Sequence, residues 1–177
     1  MNTLPYIPLD EELNLNICLL VILIHSLSKN KNDTWILNKN KAQIFMYLIK
    51  NPSRLEDVMT LTGKKNVSID MSETYTIKSL SLNVDILFET AKINTLLKKI
   101  ALMGGLSVKK NDDTTYFSLT EQGEKIYNEL DSEYFRSIKN YTKSLKKIKS
   151  LSSSKLNSIL NEVFKVSKWN LTLELND

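Results

Sequence analysis

The hydrophobic positions near the start of the chain form one unbroken run, Ile17 to Ile24. Acidic residues precede this run at positions 10–12, and a polar stretch follows it after His25. A helix that is apolar on every side is buried on most of its surface. The pattern therefore predicts a core helix from about residue 9 to Ser28. The run is too short for a membrane span, which needs about 20 apolar residues, and the preceding acids do not fit a signal peptide.

The next apolar positions follow helical spacing. A short extended piece, residues 34–37, precedes a helix predicted over residues 38–51, with Asn38 as its N-cap. Pro52 ends this helix, because proline cannot continue the hydrogen-bond ladder.

A third, short helix is predicted directly after Pro52. Ser53, with Glu56 three residues later, predicts a capping box at its start, and Gly63 is a natural end. Its expected buried side comprises Leu55, Val58, Met59 and Leu61. The polar stretch 64–83 indicates no definite structure.

The clearest local pattern lies between residues 85 and 123. Residues 85–103 carry an apolar helical face, which ends at a pair of glycines. Two short strands, 105–110 and 115–119, follow around a polar turn, and Thr120 caps another helix. This order predicts a mainly α protein with one β-hairpin.

The C-terminal third predicts long helices. One helix is expected from Thr120 to Ser150, with an apolar stripe that recurs every three or four residues. The stripe comprises Ile126, Leu130, Tyr134, Ile138, Tyr141, Leu145 and Ile148. It either packs within this chain or serves dimerisation or docking to a coiled coil. A further helix is predicted over 153–166, and the alternation in 169–175 predicts an edge strand or a segment that adds to a partner's sheet.

The hairpin and the residues that follow it resemble the wing of winged-helix proteins. The matching residues are Gly105, Leu106, Tyr116, Leu119, Thr120 and Gly123. The resemblance implies a winged helix with a two-stranded β-hairpin wing and additional N- and C-terminal helices, in which helix 85–103 occupies the recognition-helix position. It divides the chain into a winged-helix core with its N-terminal helix (1–120) and a helical extension (121–177) that packs on the core or on a partner.

A wider segment, Leu37 to Leu55, together with the downstream wing, resembles the small middle components of bacterial ABC three-component systems. The resemblance implies an adaptor beside a coiled-coil, SMC-like ABC ATPase and a companion subunit, in defence against phage or other foreign DNA.

Composition is that of an ordinary globular domain, with 42% hydrophobic and 25% charged residues. The single cysteine, Cys18, excludes an intramolecular disulfide and is expected to be a buried small hydrophobe. With no targeting segment evident, we expect a cytoplasmic protein without a membrane partner.

Candidate chemistry is sparse, so we expect no enzyme, cofactor or metal site. His25 is the single histidine, and its place at the end of an apolar helix favours a core or helix-end role. One histidine and one cysteine are too few for a zinc site, and no phosphate-binding loop is present. Asp112 and Asp113 form a carboxylate pair in a predicted turn, where aspartate is favoured for turn geometry.

The net charge of +4 lies entirely in the C-terminal half, since residues 1–88 balance. No acid occurs between Glu133 and Glu162. The candidate contact residues in this gap are Arg136, Lys139, Lys143, Lys146 and Lys147. Such a basic face is either a solvated surface or a site for phosphate or an acidic partner.

Two further surfaces are candidates for nucleic-acid or partner contact. The recognition-position helix offers Lys92, Thr95 and Lys99, and the wing offers Lys109 and Lys110. The two aspartates at the wing tip oppose phosphate contact, and arginine, the usual reader of guanine, occurs only twice. Nonspecific DNA contact therefore stays open, whereas sequence-specific reading is disfavoured.

The leading functional expectation is a non-catalytic winged-helix adaptor of an SMC-like ABC ATPase complex, with a homodimer as a further possibility. The alternative is a dimeric winged-helix transcriptional regulator. A neighbouring gene for a coiled-coil ATPase favours the adaptor, whereas an isolated gene with a palindromic upstream site favours the regulator.

Overall fold

The computed structural model describes residues 12–65 and 90–174, the last nine of them by backbone alone. In chain order the elements are α1 (Leu13–Leu27), α2 (Lys39–Lys50), α3 (Pro52–Leu61), α4 (Thr90–Leu102), β1 (Leu106–Asn111), β2 (Thr114–Leu119), α5 (Glu121–Glu129), α6 (Glu133–Leu145) and α7 (Ser153–Glu174). None of the described helices is both long and apolar enough to cross a membrane. The unassigned stretch 66–83, Ile86 and Leu87 lie outside the described residues.

Helix α1 forms the centre of the core. It packs against α2, α4, α5, α6 and β2, and its residues from Leu19 to Ile24 are buried. The predicted buried helix is thus confirmed, but it begins at Leu13 rather than near residue 9. The reason is Glu12, which has an extended backbone and accepts hydrogen bonds from the amides of Asn14 and Leu15.

The junction between α2 and α3 is tighter than predicted. Asn38 caps α2 as expected, accepting from the amide of Lys41 at 2.9 Å. Asn51 both ends α2, donating to the Tyr47 carbonyl, and precedes α3. Pro52 therefore occupies the first turn of α3, a position that suits its fixed φ. The predicted Ser53 capping box is wrong, because the helix already includes Ser53.

The buried side of α3 is narrower than expected. Leu55, Val58 and Met59 are buried, whereas Leu61 at the last turn is 48% exposed, so its predicted burial is wrong. Gly63 follows with a φ of +63°, a value that favours glycine over other residues.

The hairpin follows α4 as predicted. Ile93, Leu96, Leu97 and Ile100 form the buried face of α4. Gly104, at a φ of +69°, turns the chain into β1, which pairs with β2 in antiparallel register from Leu106–Leu119 to Asn111–Thr114. Thr120 caps α5, accepting from the amide of Gly123 and donating to the carbonyl of Gly104 at 2.6 Å.

The outer edge of β2 meets the segment that precedes α2. The amide of Phe117 donates to the carbonyl of Leu37 at 3.0 Å, and Asn38 bridges to Tyr116. The extended piece between α1 and α2 thus lies beside the hairpin. The fold class is confirmed: the chain is mainly helical with a two-stranded antiparallel hairpin, an arrangement consistent with a winged helix.

The single long helix predicted from Thr120 to Ser150 is wrong. It is divided into α5 and α6 at residues 130–132, where Leu130 leaves helical geometry. Ser132 starts α6 by accepting from the amide of Phe135. A serine in a non-helical conformation satisfies a free amide at a helix start, so the break is stabilised locally.

The apolar stripe of this region belongs mostly to the chain's own core. Ile138, Tyr141, Leu145 and Ile148 are buried in the same cluster as α1. An open docking stripe is therefore wrong for these four residues, while Tyr134 is 49% exposed. The division of the chain at residue 120 stays a prediction.

Helix α7 packs against α2 and α3 and continues to Glu174. The strand predicted at residues 169–175 is therefore wrong as far as the described backbone extends. A helix satisfies its own backbone hydrogen bonds, whereas a strand needs a neighbouring edge.

Candidate interaction surfaces

The first cationic surface, here called the α4–wing surface, comprises the exposed residues of α4 and β1. It contains Asn94, Thr95, Lys98, Lys99, Leu102, Met103, Val108, Lys109 and Lys110. Among these are four of the predicted contact residues: Thr95, Lys99, Lys109 and Lys110. The fifth, Lys92, is half-buried beside Gln43 and Met46 and so faces α2 rather than open solvent. Thr95 donates its hydroxyl to the carbonyl of Ala91 at 3.0 Å.

A polar cleft of about 390 Å³ separates the wing tip from α2 and α4. Its lining includes Lys39 and Asn40 from α2, Asn94 from α4, and Asp113 and Thr114 from the wing. The sequence did not indicate Lys39 and Asn40, because their approach to the wing depends on the contact of β2 with residues 37–38. The wing tip is acidic as expected, since Asp112 and Asp113 form its two-residue turn.

The second cationic surface, here called the α6 surface, comprises Arg136, Lys143, Lys146 and Lys147. All four side chains are exposed. Arg136 and Lys143 are two helical turns apart and share the face opposite the buried residues of α6. Lys147 donates to the carbonyl of Lys65 at 2.6 Å. Within the described residues, none of the four forms an ion pair.

The remaining predicted contact residue, Lys139, turns towards α5. Its ammonium lies 4.0 Å from the centre of the Tyr127 ring and 3.3 Å from the Tyr127 carbonyl oxygen, to which it donates. This residue joins α5 to α6, so its charge is only partly available to a partner. Contact with nucleic acid or a partner stays a prediction for all ten residues.

Two other lysines form hydrogen bonds to backbone carbonyls within the fold and are here called the internal struts. Lys41 is buried and donates to the carbonyl of Lys149 at 2.9 Å, while Lys149 donates to the carbonyl of Lys29. Burial lowers the pKa of both ammonium groups below the ordinary lysine value, and Lys146 adds to the effect at Lys149. Lys149 therefore contributes to packing rather than to the cationic surface.

The single histidine lies in a cluster that links α1 to α5. The Nδ1 atom of His25 lies 2.7 Å from a carboxylate oxygen of Glu124, and its ring stacks on Tyr127 with centroids 3.6 Å apart. His25 is at a helix end, as expected, but exposed rather than in the core. These partners were not predictable from the sequence, because Glu124 and Tyr127 are 99 and 102 residues away along the chain.

The single cysteine is partly buried, so its predicted full burial is wrong. Partial burial, together with Glu12, still raises the pKa of the Cys18 thiol, so the thiol stays protonated at neutral pH. Among the described residues, no three His, Cys, Asp or Glu side chains form a group that could hold a metal ion. What these residues do offer is exposed surface with unpaired positive charge.

Comparison with known proteins identifies the family of this chain. No curated protein and no solved structure matches the chain. The family model of the ABC-three component (ABC-3C) system Middle Component 4 matches residues 27–158, which is more than half of the chain. That segment includes α2, α3, α4, the hairpin, α5 and α6, and thus both cationic surfaces. The protein therefore belongs to the Middle Component 4 family of ABC-three component systems.

Proposed function

We propose that this chain is a non-catalytic adaptor that joins an SMC-like ABC ATPase to a companion subunit, in a system directed against phage or other foreign DNA. Membership of the middle-component family carries the proposal. A component of a multi-component system has protein partners, and an adaptor needs at least two separate contact surfaces. The α4–wing surface and the α6 surface lie on different elements of one core, so they leave room for separate contacts with protein and with DNA.

Co-expression tests the adaptor role directly. The tagged chain is purified from cells that also express the ATPase and the third component encoded beside it. We expect all three proteins to elute together, and we expect the ATPase and the third component to separate when this chain is left out. Retention of that pair without the chain would contradict the adaptor role. A genomic neighbourhood without an ABC ATPase gene would contradict it as well.

The α6 surface supports a second element of the proposal, nonspecific contact with the DNA backbone. Its four exposed cations lack acidic partners among the described residues, and phosphate contacts of this kind need no defined base sequence. Sequence-specific reading, which a transcriptional regulator requires, fits less well because the wing ends in two exposed aspartates.

Salt dependence measures this contact. We expect wild-type affinity for a generic DNA duplex to fall steeply between 50 and 200 mM salt, values typical of such titrations. Changing Lys143, Lys146 and Lys147 to Glu removes three phosphate contacts. The slope of log affinity against log salt should then become shallower by about 2.7, at about 0.9 per contact.

The matched control reverses three lysines of the other surface, Lys98, Lys99 and Lys109. We expect this variant to keep the wild-type salt slope in the same anisotropy titration. Equal losses in both triple variants would indicate diffuse attraction by net charge, and an unchanged slope in the α6 variant would place DNA elsewhere or nowhere on the chain.

A further inference from the structure

The exposed face of α4 ends in large apolar side chains. Leu102 is 82% exposed and Met103 is 48% exposed, although the opposite face of the helix is fully engaged in the core. A single exposed leucine is common on protein surfaces, whereas neighbouring large apolar side chains often mark an interaction site. A third exposed apolar side chain lies on the adjacent strand β1.

The wing supplies that side chain. Strand β1 begins directly after the Gly104–Gly105 turn and packs against α4. The hairpin runs back along the helix, since Asp113 at its tip lines the same cleft as Asn94 in the first half of α4. Val108 lies on this strand and is 55% exposed, although it pairs with the buried Phe117.

The charges that α4 and β1 place next to these apolar residues in the sequence are positive. Lys98 and Lys99 lie one turn before Leu102 on α4, and Lys109 and Lys110 follow Val108 on β1. Across the described parts of the chain, none of these four lysines forms an ion pair. The acids of the hairpin, Asp112 and Asp113, lie at its tip, away from the glycine turn. Glu121 is the nearest acid in sequence on the other side, since it follows Thr120, which donates to the carbonyl of Gly104. The surface thus combines exposed apolar side chains with four lysines of α4 and β1.

This combination suits protein rather than DNA. A phosphate backbone offers nothing apolar to cover Leu102, which would remain in water or be desolvated without compensation. An amphipathic helix with acidic flanks covers apolar side chains and pairs with the surrounding ammonium groups at once. A homodimer through this face would set four lysines of one copy against four of the other, which like-charge repulsion opposes.

We propose that the α4–wing surface docks an acidic amphipathic helix of another subunit of the ABC-3C system, with Leu102, Met103 and Val108 as the apolar contact. The inference rests on the proposed adaptor role and assigns it a surface and a partner chemistry. The cations steer the approach and set the orientation of the helix, while the apolar residues determine how long the complex lasts.

The test changes Leu102 and Val108 to Asp in the full chain and measures binding to the co-expressed subunits. Because both side chains are exposed, the double variant should fold with the wild-type circular dichroism spectrum and melting temperature. We expect its affinity for one subunit to fall at least about 30-fold, as for central residues of protein interfaces. The control is Leu61→Asp, which changes a leucine that is 48% exposed on α3, outside the α4–wing surface.

A photo-reactive amino acid placed at position 102 identifies the occupant. Cross-linking to a segment rich in Glu and Asp, with apolar residues at helical spacing, would support the inference. Cross-linking to DNA or to a second copy of this chain would overturn it. So would unchanged binding by the double variant, or an equal loss with Leu61→Asp, while the wild-type complex still forms. Absence of a wild-type complex would instead overturn the adaptor role itself, and this inference with it.

Discussion

The two cationic surfaces of this chain differ in what lies between their lysines. On the α6 surface, Ile138 and Leu145 of the same helix are buried, while Tyr134 in its first turn is 49% exposed. On the α4–wing surface, Leu102 and Val108 remain outside among the lysines. The number of exposed cations is the same in both places, so net charge alone does not distinguish them.

This difference indicates that the exposed apolar side chains of a basic surface, and not its charge alone, help to tell which class of partner it binds. Ammonium groups without exposed apolar neighbours favour a flexible, strongly hydrated contact such as the DNA backbone. Ammonium groups around exposed leucine and valine favour a partner that excludes water. The recognition-helix position, which the winged-helix resemblance associates with DNA, is by this criterion the more protein-like surface of the two.

The largest expected effect is on the free energy of unfolding, which should distinguish an apolar residue beneath the α6 surface from one on the α4–wing surface. Leu145→Ala leaves a cavity beneath the α6 surface and should lower the free energy of unfolding by about 2–5 kcal/mol. Leu102→Ala, at an exposed position, should change it by less than about 0.5 kcal/mol. Urea denaturation followed by circular dichroism measures both. A large loss for Leu102→Ala would mean that this side chain is covered within the folded chain, against the docking inference.

The next largest expected effect is on the stability of variants at Gly123 and Gly104, which lie where the hairpin meets α5 and α4. A Cβ atom at Gly123 would overlap the carbonyl oxygen of Gly105, an atom that cannot move without shifting the backbone. Gly123→Ala should therefore cost about 3 kcal/mol, the upper end for overpacking. Gly104→Ala meets no atom within 4 Å but keeps a φ of +69°, so about 1 kcal/mol is expected.

Thermal unfolding, analysed with one fixed heat-capacity change, measures the loss of stability in each glycine variant and tests whether Gly123→Ala loses more than Gly104→Ala. The salt slope for DNA binding by Gly123→Ala should remain that of wild type at temperatures where the variant is folded, because the α6 surface does not include the wing. A slope reduced along with partner binding would show that the two surfaces are not independent.

The smallest expected effect is a change in how stability depends on pH, and it concerns the buried residue Lys41. The pKa of Lys41 is lowered by burial, so in the alkaline window below 10.5 the unfolded chain binds more protons than the folded one. The contribution of Lys41 to the free energy of unfolding therefore rises with pH through this window, by at most about 1.4 kcal/mol per pH unit for one group. Lys41→Met removes this contribution.

We expect the stability advantage of wild type over Lys41→Met to grow as pH rises towards 10.5 in urea titrations. Tyr47 and Tyr127, whose pKa values are raised by burial, oppose the trend by losing stability above their ordinary pKa, but they are common to both chains and cancel in the difference. A difference that stays flat would mean that the amine at Lys41 is hydrated.

The sequence was sufficient for features that depend on neighbouring residues. The buried run of α1, the Asn38 and Thr120 caps, and the glycine-bounded hairpin all follow from local periodicity and capping chemistry. The exposed aspartates of the wing tip were also predictable, since Asp favours such turns.

Features that depend on distant contacts were not predictable. The break at residues 130–132 had a local sign, Ser132 followed by the acidic Glu133, but a continuous apolar stripe outweighed it. The exposure of Leu102 had a sign, because Leu102 lies two residues after Ile100 and so falls outside the helical spacing of the buried face. The inward direction of Lys139 had none, because periodicity does not tell which side of a neighbouring element a side chain meets. The candidate residues were charged or polar, and none of the apolar contacts was among them.

The internal struts formed by Lys41 and Lys149 have a practical consequence for chemical labelling. Reagents that acylate or methylate amines reach the outward lysines of both surfaces in the folded chain, whereas Lys41 is buried and donates to the carbonyl of Lys149. A mass spectrum in which Lys41 is modified therefore comes from molecules that have opened. Lysine methylation, often used to promote crystallisation, would leave the buried Lys41 unmodified but would alter every candidate contact lysine that lies in solvent.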